Sequence, residues 1–413
     1  TMSGGIQAAP LSGVRGVDFS RTLAGTLSSN ILSDLGADII MVEVPSRGPQ
    51  GIAKSGLAST TTGGVDARGN YECRGKKSVV LNIHEPQGLE IFRQMAKHLD
   101  IVQNNWRPGT AERMGVDYET LNKINPRIIC CSISGYGNKG PYRDRGSFDS
   151  VAAAHTGMLS MSGEPDGPPM LAGQPFVDYS TAVWASQGIL AALYHRVHTG
   201  VGQHVEVSLF EVGLSTHTFF ATQHLLSGKV PRAPGWSVGM FSLAGIFPTQ
   251  DGHVTLGVLG DRSFPPFCRA LDRPEWAEDP RFVTEAERMK HKRLLLAQVH
   301  EVMAEKPTEH WVERLLDARV PVAPVNTLDA ALSDPHTQAL GCVITVDGAE
   351  GKPVPMVRGP VNLSSHQPTY APIPTTGQHT EEVLQELLGY SQRETRQLQE
   401  EGIVSLGEDG DGP

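Results

Sequence analysis

The chain has 413 residues, a formal net charge of −10 and five cysteines. This length is enough for two or three domains with a sizeable core. The negative charge argues against a nucleic-acid-binding protein, because such proteins need a basic surface to displace counterions from phosphates. We therefore expect a small molecule or another protein as partner. The cysteines show neither CxxC pairs nor metal-ligand spacing, which indicates reduced thiols rather than a disulfide framework.

The sequence shows no sign of a targeting or membrane segment. Its N-terminus lacks the charged region and apolar run that are typical of a signal peptide. No window approaches the roughly 18 to 20 apolar residues that are needed to span a bilayer. We therefore expect a cytoplasmic protein that does not enter the membrane.

The first half of the chain alternates strand and helix patterns. Residues 14–43 read as a β-α-β unit, and the Gly-, Ser- and Thr-rich stretch after Val44 predicts a long loop. Beyond this loop, strands are predicted at "KKSVVLNI", "DIVQNN" and "RIICCSIS", with a helix at "GLEIFRQMAKHL" after the first of them. Such alternation predicts an α/β fold, in which a doubly wound parallel sheet is covered on both faces.

The longest helical pattern begins near Asp178 and continues to about His198. Its predicted buried stripe consists of Val183, Ser186, Ile189, Leu190, Leu193 and Val197. Beyond Phe219, a hairpin at Asp251-Gly252 and short charged helices predict a second, smaller domain. The predicted organisation is a large domain over 10–215, a small α+β domain over 225–320, a segment over 321–400 that completes the large domain, and a flexible tail over 401–413.

Common catalytic and phosphate-binding motifs do not occur. Neither GxGxxG nor GxxxxGK[ST] is present, so a nucleotide would have to bind without a standard fingerprint. GxSxG and HExxH are missing as well, which weakens hydrolase and metalloprotease interpretations. The fifteen histidines are scattered and do not form a ligand cluster, so we expect no metal site.

Two aspartates stand out because each lies at the start of an apolar helical pattern. Asp149 precedes "SVAAAH" and Asp178 precedes "YSTAVWASQG". One interpretation is structural, since Asp is a favoured N-cap residue. The other is catalytic, because the dipole at a helix N-terminus keeps a carboxylate ionised and available as a nucleophile. The two roles are compatible, and the spacing does not decide between them.

Several long blocks of sequence resemble one family. They include "GVRGVDFSRTLAGT", "NNWRPGTAERMG" and "VDYSTAVWASQGILAALYHR". Together they resemble the class III coenzyme A transferases, a family that also contains α-methylacyl-CoA racemase, from about Leu11 to Tyr390. The resemblance implies a Rossmann-like large domain that is built from both chain ends, a small inserted domain and an interlocked homodimer.

The resemblance also implies a reaction. "DYSTA" matches the context of the family's nucleophilic aspartate, which assigns that role to Asp178, and Asp149 resembles an acidic residue that some transferases keep beside it. The implied enzyme moves CoA from an acyl-CoA donor to a carboxylic or dicarboxylic acid through aspartyl anhydride and aspartyl-CoA thioester intermediates. It needs no tightly bound cofactor, since coenzyme A and acyl-CoA are substrates.

Seven residues are assigned to coenzyme A by the same resemblance. They are Thr22 after the first strand, Lys76 and Lys77 near the 3′-phosphate, Asn105 and Trp106 in "NNWRPG", and Arg113 and Met114 in "AERMG". Arg and Lys suit phosphate through their charge and donor geometry.

The sequence also departs from the family pattern. Met41 and Val44 replace a Lys and an Arg that are often found near adenine, so adenine must be held differently. The four-glycine run of formyl-CoA transferases is missing, and "SVGMFSLAG", with Gly239, occupies that region. This difference weakens the case for oxalate or formate as a substrate.

Two alternatives to a transferase remain. A racemase needs a His where this chain has Phe148, and a hydrocarbon ring cannot carry a proton; His155, seven residues later, is not given that role. A non-catalytic CoA-binding subunit of a hetero-oligomer is the other alternative. The substrates are not identified: Trp236, Met240 and Phe241 indicate an acyl group larger than formyl, or equally the core of the small domain.

Overall fold

The structure is a computed structural model that describes residues 8–44, 61–62, 65–66, 71–348, 351–366 and 368–407. The chain forms two compact units. The large unit contains Thr1–Thr156, Gly173–Thr218 and Gly341–Pro413, and the small unit contains Gly157–Ala172 and Phe219–Leu340. Most of the predicted loop between Val44 and Tyr71 lies outside the described residues.

The large unit is built around a seven-stranded sheet. The strands are β1 (Arg15–Asp18), β2 (Asp38–Glu43), β5 (Lys76–Leu81), β6 (Ile101–Asn104), β7 (Ile129–Ser134), β8 (His204–Ser208) and β14 (Val404–Ser405). Their spatial order is β14-β5-β2-β1-β6-β7-β8, and every pair is parallel except β14 with β5. The predicted α/β class with a large parallel sheet is confirmed.

The strand order places a crevice at the carboxyl ends of two neighbouring inner strands of this sheet. From β1 the chain proceeds outward to β2 and β5, then returns to the other side of β1 at β6. The loops that leave β1 and β6 therefore diverge in opposite directions at the carboxyl ends of these neighbouring strands. Ligands of open α/β sheets bind at such a switch point.

Helices cover the sheet and complete the large unit. They are α1 (Leu23–Asp34), α2 (Pro86–Ala96), α3 (Thr110–Met114), α4 (Tyr118–Ile124), α5 (Asp149–His155), α6 (Phe176–Thr199), α7 (Leu209–Ser215), α15 (Thr380–Leu388) and α16 (Gln392–Glu400). In α2, Pro86 at the start suits a position whose N–H has no helical partner, and Ile91, Phe92 and Met95 form its buried face. These side chains join Val102 and other strand residues in one hydrophobic core.

Helix α6 packs differently from the prediction. Ser186, Ile189 and Leu193 are buried as expected, whereas Val183 and Val197 are exposed. The buried side of α6 is instead rich in small residues and packs against α1. The small residues on this side are Ala182, Ala185, Ser186 and Ala192. Small side chains let two helices approach closely, so residue size decided the buried face here.

The small unit has its own sheet and core. Strands β9 (Leu243–Pro248), β10 (His253–Val258) and β11 (Val322–Pro324) form an antiparallel sheet in the order β11-β10-β9, which includes the predicted hairpin. Phe247, Phe267 and Trp311 lie in the hydrophobic core beneath the sheet. Its helices are α9 (Phe264–Ala270), α10 (Glu285–Lys290), α11 (Lys292–Met303), α12 (Thr308–Asp317), α13 (Leu328–Ser333) and α14 (Pro335–Ala339).

One helix and two strand pairs lie outside these groups. Helix α8 (Thr218–Ser227) begins at the last residue of the middle segment of the large unit. Strands β3 (Thr61–Thr62) and β4 (Val65–Asp66) pair with each other. Strands β12 (Val343–Asp347) and β13 (Pro353–Val357) form a hairpin in the large unit.

The unit boundaries differ from the predicted ones in two places. Residues 321–340 were expected in the large domain but belong to the small unit, because β11 pairs with β10. Residues 401–407 were expected in a flexible tail, yet Val404 pairs with Leu81 and is buried. In both cases the deciding contact is made with a distant strand.

Candidate active site

Asp178 lies in the first turn of α6. It is the third residue of this helix, and its side chain is half-buried. The N-cap position belongs to Pro175, whose side chain makes no capping bond. The interpretation of Asp178 as the N-cap of its helix is therefore wrong. The position does place a carboxylate at the end of the helix where the helix dipole favours negative charge.

Asp149 supplies the cap that α6 lacks. Its Oδ1 accepts a hydrogen bond from the backbone N–H of Val177 at 2.7 Å and another from that of Asp178 at 3.0 Å. Asp149 is the first residue of α5, whose own N-cap position is occupied by Phe148. One carboxylate therefore fixes the first turn of the helix that carries the other.

The histidine of α5 does not lie at the position where a racemase would have its catalytic His. His155 is the last residue of α5, at the end opposite to Asp149, and its Nδ1 lies 3.2 Å from the hydroxyl of Tyr136. Phe148, which stands where a racemase would have its His, is 63% exposed. An exposed phenyl ring offers no group for proton transfer.

Thr22 and Asn105 meet at the switch point of the sheet. The side-chain amide of Asn105 donates to the hydroxyl and the carbonyl oxygen of Thr22, and its Oδ1 accepts from the backbone N–H of Arg21 at 3.0 Å. Thr22 is the residue before α1, and Asn105 directly follows β6. These bonds tie together the two loops that border the crevice.

The other residues predicted around "NNWRPG" divide into packing and surface groups. The Trp106 ring lies 5.0 Å from that of Phe19, and Trp106 and Met114 both pack against the main core while partly accessible. Arg113 is exposed, and its Nη2 donates to Thr110 Oγ1 at 2.9 Å. Of these three residues, Arg113 is the one with a charge at the surface.

Lys76 cannot reach a phosphate from its position. Its side chain is fully buried; Nζ donates to the carbonyl oxygen of Thr26 at 2.9 Å and lies 3.4 Å from Asp18 Oδ2. Asp18 also accepts hydrogen bonds from the Ser20 backbone N–H and the Gln103 side chain. Lys76 is therefore the counter-ion of a buried carboxylate, and its predicted contact with coenzyme A needs correction.

Lys77 is reachable, but it lies among carboxylates. Its Nζ is 3.0 Å from Glu382, 3.5 Å from Glu386 and 3.8 Å from Asp38. Partial burial lowers the pKa of Lys77, yet the hydrogen bond to Glu382 and the nearby negative charges outweigh burial and raise it. Three carboxylates repel a phosphate, which speaks against the predicted role of Lys77.

Two further arginines near the crevice, Arg107 and Arg143, were not assigned by sequence reasoning. A β-carbon at Gly109 would lie 3.1 Å from Arg113 Nη1 and 3.7 Å from Arg143 Nη2, and one at Gly146 would lie 3.3 Å from Arg107 Nη2. Their guanidinium groups thus lie in the loops after β6 and β7. A sequence signal existed, since "WRPG" and "YRDRG" both follow predicted strands.

Comparisons with known proteins identify the family of this chain. The sequence model of CoA-transferase family III matches residues 11–380. The chain belongs to CoA-transferase family III. It is 33% identical to the succinate–glutarate CoA-transferase of Agrobacterium fabrum, over 92% of this chain and 96% of that protein. It is 30% identical to the succinyl-CoA–L-malate CoA-transferase beta subunit of Chloroflexus aurantiacus, over 98% of this chain and 100% of that one.

Solved structures of the same family share the fold. A CaiB/BaiF family protein from Brucella suis superimposes with a TM-score of 0.80 at 30% identity, over 92% of this chain and 100% of that chain. This family III CoA-transferase has, within its described residues, no helix that is long and apolar enough to cross a membrane. The same part of the chain contains no group of three or more His, Cys, Asp or Glu residues that could hold a metal ion.

Proposed function

We propose that this family III enzyme transfers coenzyme A from an acyl-CoA donor to a carboxylic acid, with Asp178 as the nucleophile. The observation that carries the proposal is the pair of hydrogen bonds from the first turn of α6 to Asp149. They fix the backbone at Asp178 while a different carboxylate does the capping. Asp178 thereby has a fixed place in the first turn, where the helix dipole favours an ionised nucleophile, and Asp149 acts as a positioning residue.

The reaction proceeds by exchange of acyl groups on Asp178. The carboxylate attacks the thioester carbonyl, the C–S bond breaks, and a mixed anhydride and CoA thiolate form. The thiolate then attacks the aspartyl carbonyl, which releases the donor acid and leaves an aspartyl-CoA thioester. The acceptor carboxylate repeats these steps in reverse. The thioester energy is conserved throughout, and each tetrahedral intermediate needs oxyanion donors.

Coenzyme A binds, in this proposal, at the switch point of the sheet. Thr22 and Asn105 border the crevice, and Trp106 and Met114 supply partly accessible apolar surface beside it. The phosphates contact Arg113 together with the neighbouring guanidinium groups rather than the two lysines of β5. Arginine suits this role because its planar fork binds phosphate oxygens in pairs.

A dicarboxylic acid is the proposed acceptor. The names of the two relatives mention succinate, glutarate and L-malate, all of which carry two carboxylates. Within this chain, Trp236 and Met240 are 43% and 41% exposed. This exposure argues against the alternative that both side chains lie in the core of the small unit.

The direct test is an acyl exchange assay. The purified protein is incubated with succinyl-CoA and glutarate or L-malate, and the CoA esters are separated by chromatography. The proposal predicts a new CoA ester of the acceptor with equimolar loss of succinyl-CoA. No exchange with these and other short acids, together with uptake of solvent deuterium at the α-carbon of a 2-methylacyl-CoA, would favour a racemase instead.

We also propose an interlocked homodimer. Large apolar side chains of α6 are exposed on the isolated chain, namely Val183, Trp184, Tyr194 and Val197. Contiguous apolar surface of this kind usually marks a protein contact. Light scattering should give twice the mass of one chain. A monomer, or a species that forms only with a second gene product, would contradict the homodimer.

The proposed location is the cytoplasm. All five cysteines are free, and burial raises the pKa of the Cys131 thiol to about 12. Buried, protonated thiols persist in a reducing compartment. Fractionation of cells that express a tagged chain would test this location.

A further inference from the structure

A serine, a histidine and a glutamate line up on the outermost strands of the large sheet. In the parallel register of β7 and β8, Ser132 is the partner of Glu206, and Cys130 that of His204. Because side chains alternate along a strand, Ser132, His204 and Glu206 all project from one face. Ser132 and His204 are 72 positions apart in the sequence, so no local motif could reveal this arrangement.

His204 lies between the other two side chains, in hydrogen-bond contact with Ser132 and at ion-pair distance from Glu206. His204 Nε2 lies 2.9 Å from Ser132 Oγ, and His204 Nδ1 lies 3.5 Å from Glu206 Oε1. The Tyr118 ring stacks on the imidazole at 5.9 Å, and the Asn138 amide donates to Glu206 Oε1. A serine that contacts a base, which in turn is oriented by a third group, has the construction of an activated nucleophile.

These groups border a cavity rather than a packed core. Ser132 and His204 both line it, and Ser132 is half-buried. The polar and aromatic groups around them are Asn104, Trp106, Arg107, Tyr118, Ser134 and Asn138. Amide and guanidinium groups can donate hydrogen bonds to an oxyanion.

We infer that Ser132, His204 and Glu206 form a second nucleophilic centre, which hydrolyses carboxylic esters or thioesters independently of Asp178. His204 carries its proton on Nδ1, facing Glu206, and accepts the Ser132 proton at Nε2. This activity goes beyond the transfer of coenzyme A. It would release the acid from an acyl donor when no acceptor acid is bound.

The chemistry balances with water as the only co-reactant. Ser132 Oγ forms a bond to the acyl carbon, the C–S or C–O bond breaks, and His204 passes the serine proton to the leaving thiolate or alkoxide. Water then attacks the acyl-serine, gives one proton to His204, and releases the acid as that proton returns to Ser132. The sum is ester plus water to acid plus thiol or alcohol.

The experiment uses a fluorophosphonate probe on the full-length protein. The probe should modify Ser132, found by mass spectrometry in the tryptic peptide that covers residues 128–139. Ser132→Ala should abolish this labelling, and His204→Gln should slow it by about a hundredfold or more, since a general base supplies that factor. Ser160→Ala is the matched control, because Ser160 is an exposed serine of the small unit that does not line this cavity and should leave the labelling unchanged.

Hydrolysis is measured in Asp178→Ala protein, so that any turnover through that aspartate is removed. Acetyl-CoA and p-nitrophenyl acetate serve as the two substrates and distinguish a thioesterase from an oxyesterase. Adding Ser132→Ala should lower the rate for at least one of them by about a hundredfold. Failure of Ser132 to react with the probe, or equal hydrolysis by the variant without Ser132, would overturn the proposal. The contact between Ser132 and His204 would then be a structural cross-strand pair. Exchange between succinyl-CoA and acceptor acids, measured separately, would be untouched by that result.

Discussion

Asp18 and Asp178 are both aspartates of the large unit, but they lie in opposite surroundings. Asp18, at the end of β1, is 1% exposed and is held by Lys76, Ser20 and Gln103. Asp178 lies at the start of α6, half-buried, with the capping of its helix done by Asp149. The buried ion pair with Lys76 makes Asp18 part of the fold. Asp178, in our proposal, reacts with the substrate.

The same contrast applies to the lysines of β5 and the arginines of the crevice. Lys76 forms a buried ion pair with Asp18, and Lys77 lies among three acidic groups. Arg113 and Arg143 instead lie near one another at exposed loops. A cation is available to a ligand only where the protein has not already neutralised it.

Replacing the proposed nucleophile should have the largest effect. Asp178→Ala is expected to lower kcat for transfer by at least about a thousandfold, because the covalent route is lost. Binding of CoA, measured by calorimetry, should stay within about threefold of the native value, since the proposed CoA contacts are untouched. Substantial transfer by this variant would place the nucleophile elsewhere.

Replacing the partner of the buried aspartate should instead affect stability. Lys76→Met leaves Asp18 charged and unpaired in the core, so the free energy of unfolding should fall by about 3–5 kcal/mol. Lys77→Met, at a partly exposed ion pair one residue away, should cost less than about 1 kcal/mol. Chemical denaturation of both variants makes this comparison. Equal losses would show that burial of the pair does not matter.

Two substitutions of Asp149 separate the effect of its hydrogen bonds to α6 from the effect of its negative charge. Asp149→Ala should lower kcat by about 10- to 100-fold, because the first turn of α6 shifts, and should cost about 1 kcal/mol of stability. Asp149→Asn keeps an oxygen that accepts the Val177 and Asp178 N–H groups, so it should recover most of both. If Asn were as inactive as Ala while stability returned, the charge of Asp149 itself would be needed.

The arginines should show a smaller effect that is confined to binding. Arg143→Ala is expected to raise KM for acyl-CoA by about tenfold with kcat within about twofold, since a charged hydrogen bond to phosphate is lost. Lys77→Met should leave KM unchanged. Steady-state kinetics of the two variants show whether the phosphates of CoA contact the arginines of the loops or the lysines of β5. A raised KM for Lys77→Met with an unchanged KM for Arg143→Ala would favour the lysines.

Local pattern was enough to predict the main elements of this fold. The alternation of apolar runs and helical stretches gave the α/β class, and the helix that begins near Asp178 was expected close to its observed bounds. The exposure of Val183 and Val197 was missed, because apolar periodicity does not register that small residues pack more closely against α1.

The site was predicted only in part, because its decisive contacts are long-range. Asp149 and Asp178 were both selected as candidates, but the bond between Asp149 and the α6 backbone joins residues 28 and 29 positions apart. "KKS" reads as a solvated pair of cations, and only the sheet order, which places β5 beside β2 and near β1, explains why Lys76 is buried. The Ser132 and His204 contact, 72 positions apart, was invisible for the same reason.

The most direct measurement is chemical trapping of the enzyme during turnover. The protein is incubated with succinyl-CoA, treated with hydroxylamine, digested and mapped by mass spectrometry. The account predicts a hydroxamate at Asp178 that requires succinyl-CoA and is missing from the Asp178→Ala variant. Continued exchange with an unmodified Asp178, or a hydroxamate on Asp149 or another carboxylate, would contradict the claim that Asp178 carries the acyl group.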